Sequence, residues 1–324
     1  HRAYLRKAQL LTGSDHAGLA AETLEKLLTK TTVDPAIRAG AWYYLGSARK
    51  ANGDTQDAEA AFRTLLKEHP DSPYVGYAGV EAGRMMQARK ASAAEVVSVY
   101  SAAAQAASQP ALAAEALWSW GYVLNREGDH KGAVKVFERL FQEQQESPQA
   151  TLARLPHAWS LLGLKEYERA LQAANEWATK DQATNQASWG YLRANAQRQM
   201  KKMDAALESY RALITNFPDA SIVGAARYEA ALVAGELNAH EAVVALAGPL
   251  IEHKDTPADA LWLIGDAYRK MKQPKKAIAL YEELIAREPT AELAAAARFT
   301  LAQLQQAGGA HEKAMGLFVE VGTR

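Results

Sequence analysis

The chain has 324 residues, with 37 basic and 37 acidic side chains and no cysteine. Proteins that bind nucleic acid or membrane surfaces normally carry a basic excess, so the balanced charge disfavours both as partners. The lack of cysteine excludes disulfides and thiolate chemistry, and no apolar run approaches the roughly 20 residues that span a bilayer.

An internal repeat with a period of about 36 residues runs through the whole sequence. Nine anchor alanines mark it: Ala20, Ala58, Ala94, Ala133, Ala170, Ala206, Ala242, Ala277 and Ala314. Twelve residues before each anchor lies another small residue: Ala8, Gly46, Ala82, Gly121, Ala158, Ala194, Ala230, Gly265 and Ala302. Small residues at this spacing let two helices approach closely, and such a period is typical of a stacked helical array.

Each repeat is predicted to contain two helices and two short turns. In the second repeat, apolar residues at helical spacing end at Asn52-Gly53-Asp54, and a second helix continues to His69-Pro70. Glycine tolerates the left-handed conformation that closes a helix, and the following polar residues can cap the next helix. No stretch alternates with period two, so no strand is predicted. We expect one continuous domain over 1–324, with units 1–38, 39–74, 75–113, 114–150, 151–186, 187–222, 223–257, 258–294 and 295–324.

Two repeats depart from the pattern. The third places Ser98 and Ser101 where large residues are expected, and it is aligned on Ala94 because an anchor at Val96 would put Arg84 into the tight contact. The seventh carries Gly248-Pro249 inside its second helix, where proline removes a helical hydrogen bond. We expect that helix to be kinked or shortened.

The second repeat carries the order W-x2-L-G, G-D, A-x3-F, P, from Trp42 to Pro70, which resembles the tetratricopeptide repeat. The resemblance extends over about nine units and implies an all-α solenoid that forms a right-handed superhelix. Links such as Pro70-Asp71-Ser72 are similar to those of bacterial cell-envelope members. The family's clamp for C-terminal carboxylates needs lysine at a fixed groove position. Because that position never holds lysine here, we do not expect this activity.

The resemblance also implies that the first helix of each repeat lines a concave groove. The groove candidates are Tyr43, Trp118, Tyr122, Asn125, Trp159, Tyr191, Asn195, Arg198, Arg227, Trp262 and Arg269, with Gly79, Gly83 and Met86 in the third repeat. Aromatic and arginine side chains often anchor partner peptides. The alternative is that the aromatic rings pack between helices and that Arg198 and Arg227 are solvated charges.

Motifs for catalysis and cofactor binding are absent from the sequence, and the histidines have no metal-ligand spacing. We therefore expect a protein that is not an enzyme and needs no cofactor.

Three hypotheses for its role remain open. The first is a scaffold that binds a protein or peptide segment in its groove as part of an assembly. The second is self-association through the terminal repeat, whose last helix carries Leu317, Phe318, Val319 and Val321. The third is an accessory domain of a larger envelope or secretion machine. A bacterial periplasmic location is the expectation, with the cytoplasm as the alternative.

Overall fold

The computed structural model describes residues 1–12, 16–181, 185–251, 258–287 and 292–322. These residues form helices and turns and contain no strand. Their eighteen α-helices are α1 (Arg2–Thr12), α2 (Ala17–Leu28), α3 (Pro35–Ala51), α4 (Thr55–Glu68), α5 (Val75–Ala88), α6 (Ala93–Ala106), α7 (Pro110–Arg126), α8 (His130–Glu143), α9 (Pro148–Gly163), α10 (Tyr167–Trp177), α11 (Gln186–Gln199), α12 (Met203–Asn216), α13 (Val223–Glu236), α14 (His240–Ala247), α15 (Ala258–Lys270), α16 (Pro274–Arg287), α17 (Glu292–Ala307) and α18 (His311–Gly322). Odd-numbered helices are the first helices of the repeats and even-numbered helices are the second, so the all-α repeat architecture is confirmed.

The chain divides into two compact units, residues 1–166 and 167–324. In the first unit, the second helix of each repeat packs against its own first helix and against the first helix of the next repeat, and the same order holds in the second unit. Phe62, Phe137, Tyr210 and Tyr281 are fully buried by this packing. One continuous array over 1–324, and the handedness of its superhelix, stay predictions.

In eight of the repeats, the turn between the two helices is closed by one residue in the left-handed conformation. Eight such residues occur in the described part of the chain: Gly53, Lys90, Gly128, Lys165, Lys201, Asn238, Lys272 and Gly309. Each follows a buried glycine or alanine by seven residues, which are Gly46, Gly83, Gly121, Ala158, Ala194, Ala231, Gly265 and Ala302. A left-handed residue lets the chain leave one helix and start the next within a few residues. The turn predicted at Gly53 is therefore confirmed, and the same turn recurs with lysine in four repeats.

The buried small residue of the first helix lies against a ring of the second helix. A Cβ atom added to Gly46 would meet the Phe62 ring at 2.6 Å, and one added to Gly121 would meet the Phe137 ring at 2.5 Å. Such distances are shorter than any normal van der Waals contact, so the ring occupies the place of a side chain. The predicted close approach of two helices at the small column is confirmed in these repeats.

The alignment of the third repeat on Ala94 is wrong. Ala94 is exposed, whereas Val96 is buried, and Tyr100 lies over Gly83. The turn after Lys90 has one residue more than in other repeats, because α6 begins three residues after the left-handed position and α4 only two residues after Gly53. The spacing between the two columns is therefore thirteen residues here, and the assumption of a constant twelve fails.

A second correction concerns the seventh repeat. Val243 is buried and lies five residues after Asn238, as Ala58 lies five residues after Gly53, while Ala242 is only partly buried. The anchor is therefore Val243, and its partner in the first helix is Ala231. The effect of Pro249 is confirmed: α14 ends at Ala247 and one 3₁₀ turn, Gly248–Leu250, follows it.

Candidate protein-binding face

Within each compact unit, the first helices carry a set of residues that we call the first-helix face, defined by the positions three before, one after and four after the buried small residue. The first of these columns holds Leu5, Tyr43, Val80, Trp118, Leu155, Tyr191, Tyr228, Trp262 and Phe299. All nine are apolar or aromatic, and six carry rings. The corrected alignment therefore adds Tyr228 of the seventh repeat to the aromatic series, while the third repeat places Val80 there.

Three of the predicted groove aromatics pack against the second helix of their own repeat. Tyr191 meets Tyr210 edge-on, with ring centroids 5.9 Å apart. Trp262 lies 5.3 Å from Tyr281, and Tyr43 lies 6.1 Å from Phe62 in the same way. The buried rings of the second helices thus support these side chains, which are themselves half-buried. Packing within the repeat accounts for much of the surface that these side chains bury.

Trp118 and Tyr122 form a different arrangement. Their rings stack on each other along α7, with centroids 5.4 Å apart and planes inclined by 18°. The stack follows from their i, i+4 spacing, which places both on one side of the helix. Tyr122 keeps 39% of its surface exposed. Stacked rings at the surface of a helix present a flat apolar area to a ligand.

Trp159 continues this aromatic surface on the next first helix. It lies one residue after Ala158, the position that Tyr122 holds after Gly121, and it is half-buried. The two helices α7 and α9 pack against each other within the first unit. The sequence prediction that Trp118, Tyr122 and Trp159 occupy one face of adjacent repeats agrees with this placement, and their role in binding stays a prediction.

Asn125 connects α7 with α9. Its side-chain amide donates to the carbonyl oxygen of Pro156 at 3.2 Å and to the Ser160 hydroxyl at 2.7 Å. Asn195, in contrast, donates to the backbone of its own helix, at the Tyr191 carbonyl oxygen (2.9 Å). Both predicted binding amides are therefore engaged inside the protein.

The predicted arginines also have partners or have shifted positions. Arg198 pairs with Glu229 on the next first helix, and the Nε of Arg269 donates to Asp266 on its own helix at 2.9 Å. Arg227 is half-buried, and Tyr228 holds the groove position once the seventh repeat is aligned on Val243. Of the three arginines, only Arg198 links two helices, whereas Arg269 is exposed and pairs within its own helix.

A pocket of about 310 Å³ opens on the first-helix face of the first unit. Its lining combines rings, charges and amides: Tyr43, Tyr77, Val80, Glu81, Arg84, Gln109, Ala111, Leu112, Glu115 and Gln149. Glu115 lies three residues before Trp118 on α7, so the pocket and the Trp118–Tyr122 stack involve neighbouring turns of the same helix. The pocket and the stack together form one candidate site.

Four side chains of alternating charge form a series of ion pairs here, and three of them, Glu81, Arg84 and Glu115, line the pocket. Lys50 pairs with Glu81, Glu81 pairs with Arg84 at 3.2 Å, and Arg84 pairs with Glu115. The four groups have no net charge, and each carboxylate already has a cationic partner. The pocket therefore offers polar contacts without a strong field of one sign.

Sequence reasoning missed the tyrosines and charges around Tyr43. Tyr74 stacks on Tyr43 at 4.9 Å, and Tyr77 lies 6.0 Å from it. Burial raises the pKa of Tyr74 to about 12 and also raises the pKa of Tyr43. Both phenols therefore stay protonated at neutral pH and can donate hydrogen bonds.

The one-residue error in the third repeat explains part of this omission. It assigned Gly79, Gly83 and Met86 to the groove, but all three are buried in the core. Val80, Arg84 and Gln87 hold the corresponding positions. The left-handed conformation of Lys90 fixes this alignment. A lysine in the sequence does not indicate that conformation, so the alignment could not be predicted from it.

Other kinds of site do not emerge from the described residues. Among them, no group of histidine, aspartate and glutamate could hold a metal ion. Within the same ranges, no helix is both long and apolar enough to cross a membrane.

Comparisons with known proteins agree with the repeat architecture. One family model described as tetratricopeptide repeat matches residues 41–72 and 259–291, and another of the same description matches 155–221. The solved structure of RapI in its apo form is similar over 99% of this chain and 96% of its own, with 13% identity and a TM-score of 0.57. At this identity the likeness shows the fold.

Two further solved structures resemble parts of the chain. MamA from Desulfovibrio magneticus RS-1 covers 53% of this chain and 92% of its own, with 17% identity and a TM-score of 0.46. Pseudomonas aeruginosa pilF covers 78% and 93%, with 15% identity and a TM-score of 0.46. No curated protein sequence matches the chain.

Proposed function

We propose that the chain binds a segment of a partner protein on its first-helix face, as is typical of the tetratricopeptide repeats that parts of it match. The binding centre is the Trp118–Tyr122 stack together with the adjacent pocket. The protein acts as a scaffold within a larger assembly and catalyses no reaction itself.

The observation that carries this proposal is the stack of Trp118 on Tyr122. Tyr43, Tyr191 and Trp262 rest on buried rings of their own repeats, so their packing explains their size. The Trp118–Tyr122 pair instead stacks along α7, with Trp118 half-buried against the core and Tyr122 39% exposed. Large aromatic side chains at the centre of a concave, partly polar surface are typical of binding hot spots.

The rigid surroundings of the Trp118–Tyr122 stack further support it as the binding centre. Asn125 ties α7 to α9 one turn beyond Tyr122, and Gly121 lets α7 lie directly on the Phe137 ring. Both contacts hold α7, the helix that carries the stack, in place against its neighbours. A preformed aromatic surface loses little conformational entropy on binding, which favours affinity.

A peptide-display selection tests the proposal. Random peptides are selected on the wild-type protein and then measured against the double variant Trp118→Ala plus Tyr122→Ala. We expect selected peptides to bind the double variant at least ten-fold more weakly. The matched control is Tyr4→Ala, which removes an exposed ring from α1, outside this site, and should leave binding unchanged. Equal binding to all three proteins would contradict the proposed site.

A second candidate function is self-association through the last repeat. Met315 and Val319 are 65% and 59% exposed on α18, and Phe299 is 46% exposed on α17. Val134 holds the position of Met315 in the fourth repeat and is buried there. The last repeat therefore presents apolar surface of the kind that earlier repeats cover.

Sedimentation distinguishes this second candidate from the first. We expect a concentration-dependent dimer that the double variant Met315→Lys plus Val319→Lys converts to a monomer. A wild-type protein that stays monomeric at tens of micromolar would contradict self-association and leave the peptide-binding proposal untouched.

A further inference from the structure

We infer that the segment bound at the first-helix face is uncharged and proline-rich and adopts the polyproline II conformation. This inference rests on the proposed function, because it names the chemistry of the ligand for the same site. Charge, ring geometry, hydrogen-bonding groups and helix spacing each favour such a segment.

The charges of the pocket favour an uncharged ligand. Lys50, Glu81, Arg84 and Glu115 pair with one another in sequence. An acidic ligand would have to displace a carboxylate from Arg84 or Lys50, and a basic ligand would have to displace a cation from Glu81 or Glu115. Each exchange replaces one charge pair with another and gains little. A segment without charges leaves the four partners in place.

The rings of the site match proline side chains. Trp118 and Tyr122 stack with their planes inclined by 18°, and Tyr122 leaves part of its ring exposed. Tyr43 and Tyr77 are tilted by 53° at 6.0 Å and form an open angle at the pocket wall. Proline rings pack on such aromatic surfaces, as they do in other domains that bind proline-rich segments through aromatic grooves.

Hydrogen-bond donors beside the rings suit a ligand whose backbone forms no internal hydrogen bonds. A polyproline II helix has no internal hydrogen bonds, and proline supplies only carbonyl acceptors. Gln109 and Gln149 line the pocket, and their side-chain amides can donate hydrogen bonds. The phenol of Tyr43 stays protonated because burial raises its pKa. The site thus offers donors where the ligand has unpaired acceptors.

The spacing of the first helices fits the repeat of the ligand. A polyproline II helix rises about 3.1 Å per residue with three residues per turn, so it repeats every 9 Å or so. Packed helices lie about 8–10 Å apart. A segment laid across α5, α7 and α9 therefore meets each successive helix with an equivalent residue. About nine residues suffice to reach from Tyr77 past Trp118 to Trp159.

Titration with a decaproline peptide tests this inference, with calorimetry as the measurement. We expect saturable binding to the wild-type protein, a dissociation constant at least ten-fold higher for Tyr122→Ala, and no change for Tyr4→Ala. A glycine-serine decapeptide of equal length serves as the flexible uncharged control and should bind at least ten-fold more weakly. Circular dichroism checks that the variants keep the wild-type helix content.

Three results would overturn the inference. They are the absence of decaproline binding, equal binding of the glycine-serine peptide, and tighter binding of decapeptides that carry four lysines or four glutamates. If decaproline fails while display-selected peptides still depend on Trp118 and Tyr122, the ligand chemistry is wrong and the proposed function stands. If binding of the selected peptides does not depend on these residues, both the ligand chemistry and the proposed function are wrong.

Discussion

Gly83 lies directly beneath the ring of Tyr100, so that a Cβ atom on Gly83 would come within 2.5 Å of the ring carbons. We expect Gly83→Ala to destabilise the protein by about 1–3 kcal/mol, because the ring is fully buried and cannot move aside. Gly224→Ala is the matched control, since a Cβ there meets nothing within 4 Å and alanine favours the helix by about 0.5–1 kcal/mol. Urea denaturation measures both. Equal effects would contradict the contact.

Ala206 tests the same packing in the second unit. It is fully buried at the contact of α11 with α12, so Ala206→Leu should cost about 1–3 kcal/mol of unfolding free energy. Glu208 lies two residues further and is exposed. Glu208→Lys should therefore be nearly neutral in the same thermal or chemical denaturation. A large loss with the lysine variant would show that the assigned helix face is wrong.

The left-handed lysines predict a stabilising substitution. Lys165 has a φ angle of 63°, a conformation that costs a side chain roughly 1 kcal/mol and costs glycine almost nothing. We expect Lys165→Gly to raise the free energy of unfolding by about 1 kcal/mol. Gly128→Lys, the reverse exchange at the equivalent turn, should lower it by a similar amount. No gain with glycine would be inconsistent with the turn as described.

Glu59 predicts a dependence of stability on pH. Its carboxylate accepts two hydrogen bonds from Arg89, at 2.7 and 2.9 Å, and this pairing lowers the pKa of Glu59 below 4.5. A depressed carboxyl pKa stabilises the fold above the unfolded value of 4.5, and this stability is lost as the pH falls through the folded pKa. Glu59→Gln should cost on the order of 1 kcal/mol at pH 7, since Arg89 is half exposed.

The measurement for Glu59 is chemical denaturation at pH 7 and below pH 4. The difference between wild type and Glu59→Gln should shrink at the lower pH. Glu143→Gln on α8, where an exposed carboxylate pairs with Arg139, is the control and should differ little from wild type at either pH. A difference between wild type and Glu59→Gln that stays constant with pH would contradict the role assigned to the Arg89 pair.

Substitution of Asn125 distinguishes a role in stability from a role in peptide binding. Because its amide links α7 to Pro156 and Ser160 on α9, Asn125→Ala should lower stability by about 1–2 kcal/mol. Peptides selected on the wild type should lose less than three-fold in affinity, in contrast to their loss on Tyr122→Ala. Calorimetry and urea denaturation give the two quantities. If Asn125→Ala weakened peptide binding without changing stability, Asn125 would instead be a contact of the ligand.

The period of small residues was enough to predict the helix pairs and most of their contacts. Gly46 and Gly121, for example, lie against the rings that their spacing indicated. The error in the third repeat arose because alanine is frequent and the spacing of twelve was treated as constant. Val96, and not Ala94, is the buried residue of this helix. Backbone conformation at Lys90, which the sequence does not reveal, decides the alignment.

The site was predictable to the extent that it depends on one helix. Trp118 and Tyr122 lie on one face because they are four residues apart, and that spacing is visible in the sequence. The contacts of Tyr43 with Tyr74 and Tyr77 cross from one repeat to the next. They depend on how far α5 is rotated and shifted against α3, which periodicity alone does not fix.

The extra residue after Lys90 has a consequence for redesign of the chain. A residue inserted inside a helix turns everything after it by about 100°, which would carry a binding face out of line with its neighbours. The third repeat absorbs its additional residue between the left-handed position and α6, and Val96 and Tyr100 still reach the core. This short segment of each repeat therefore acts as a length-tolerant joint, where tags or loops can be grafted while the phase of every helix is kept.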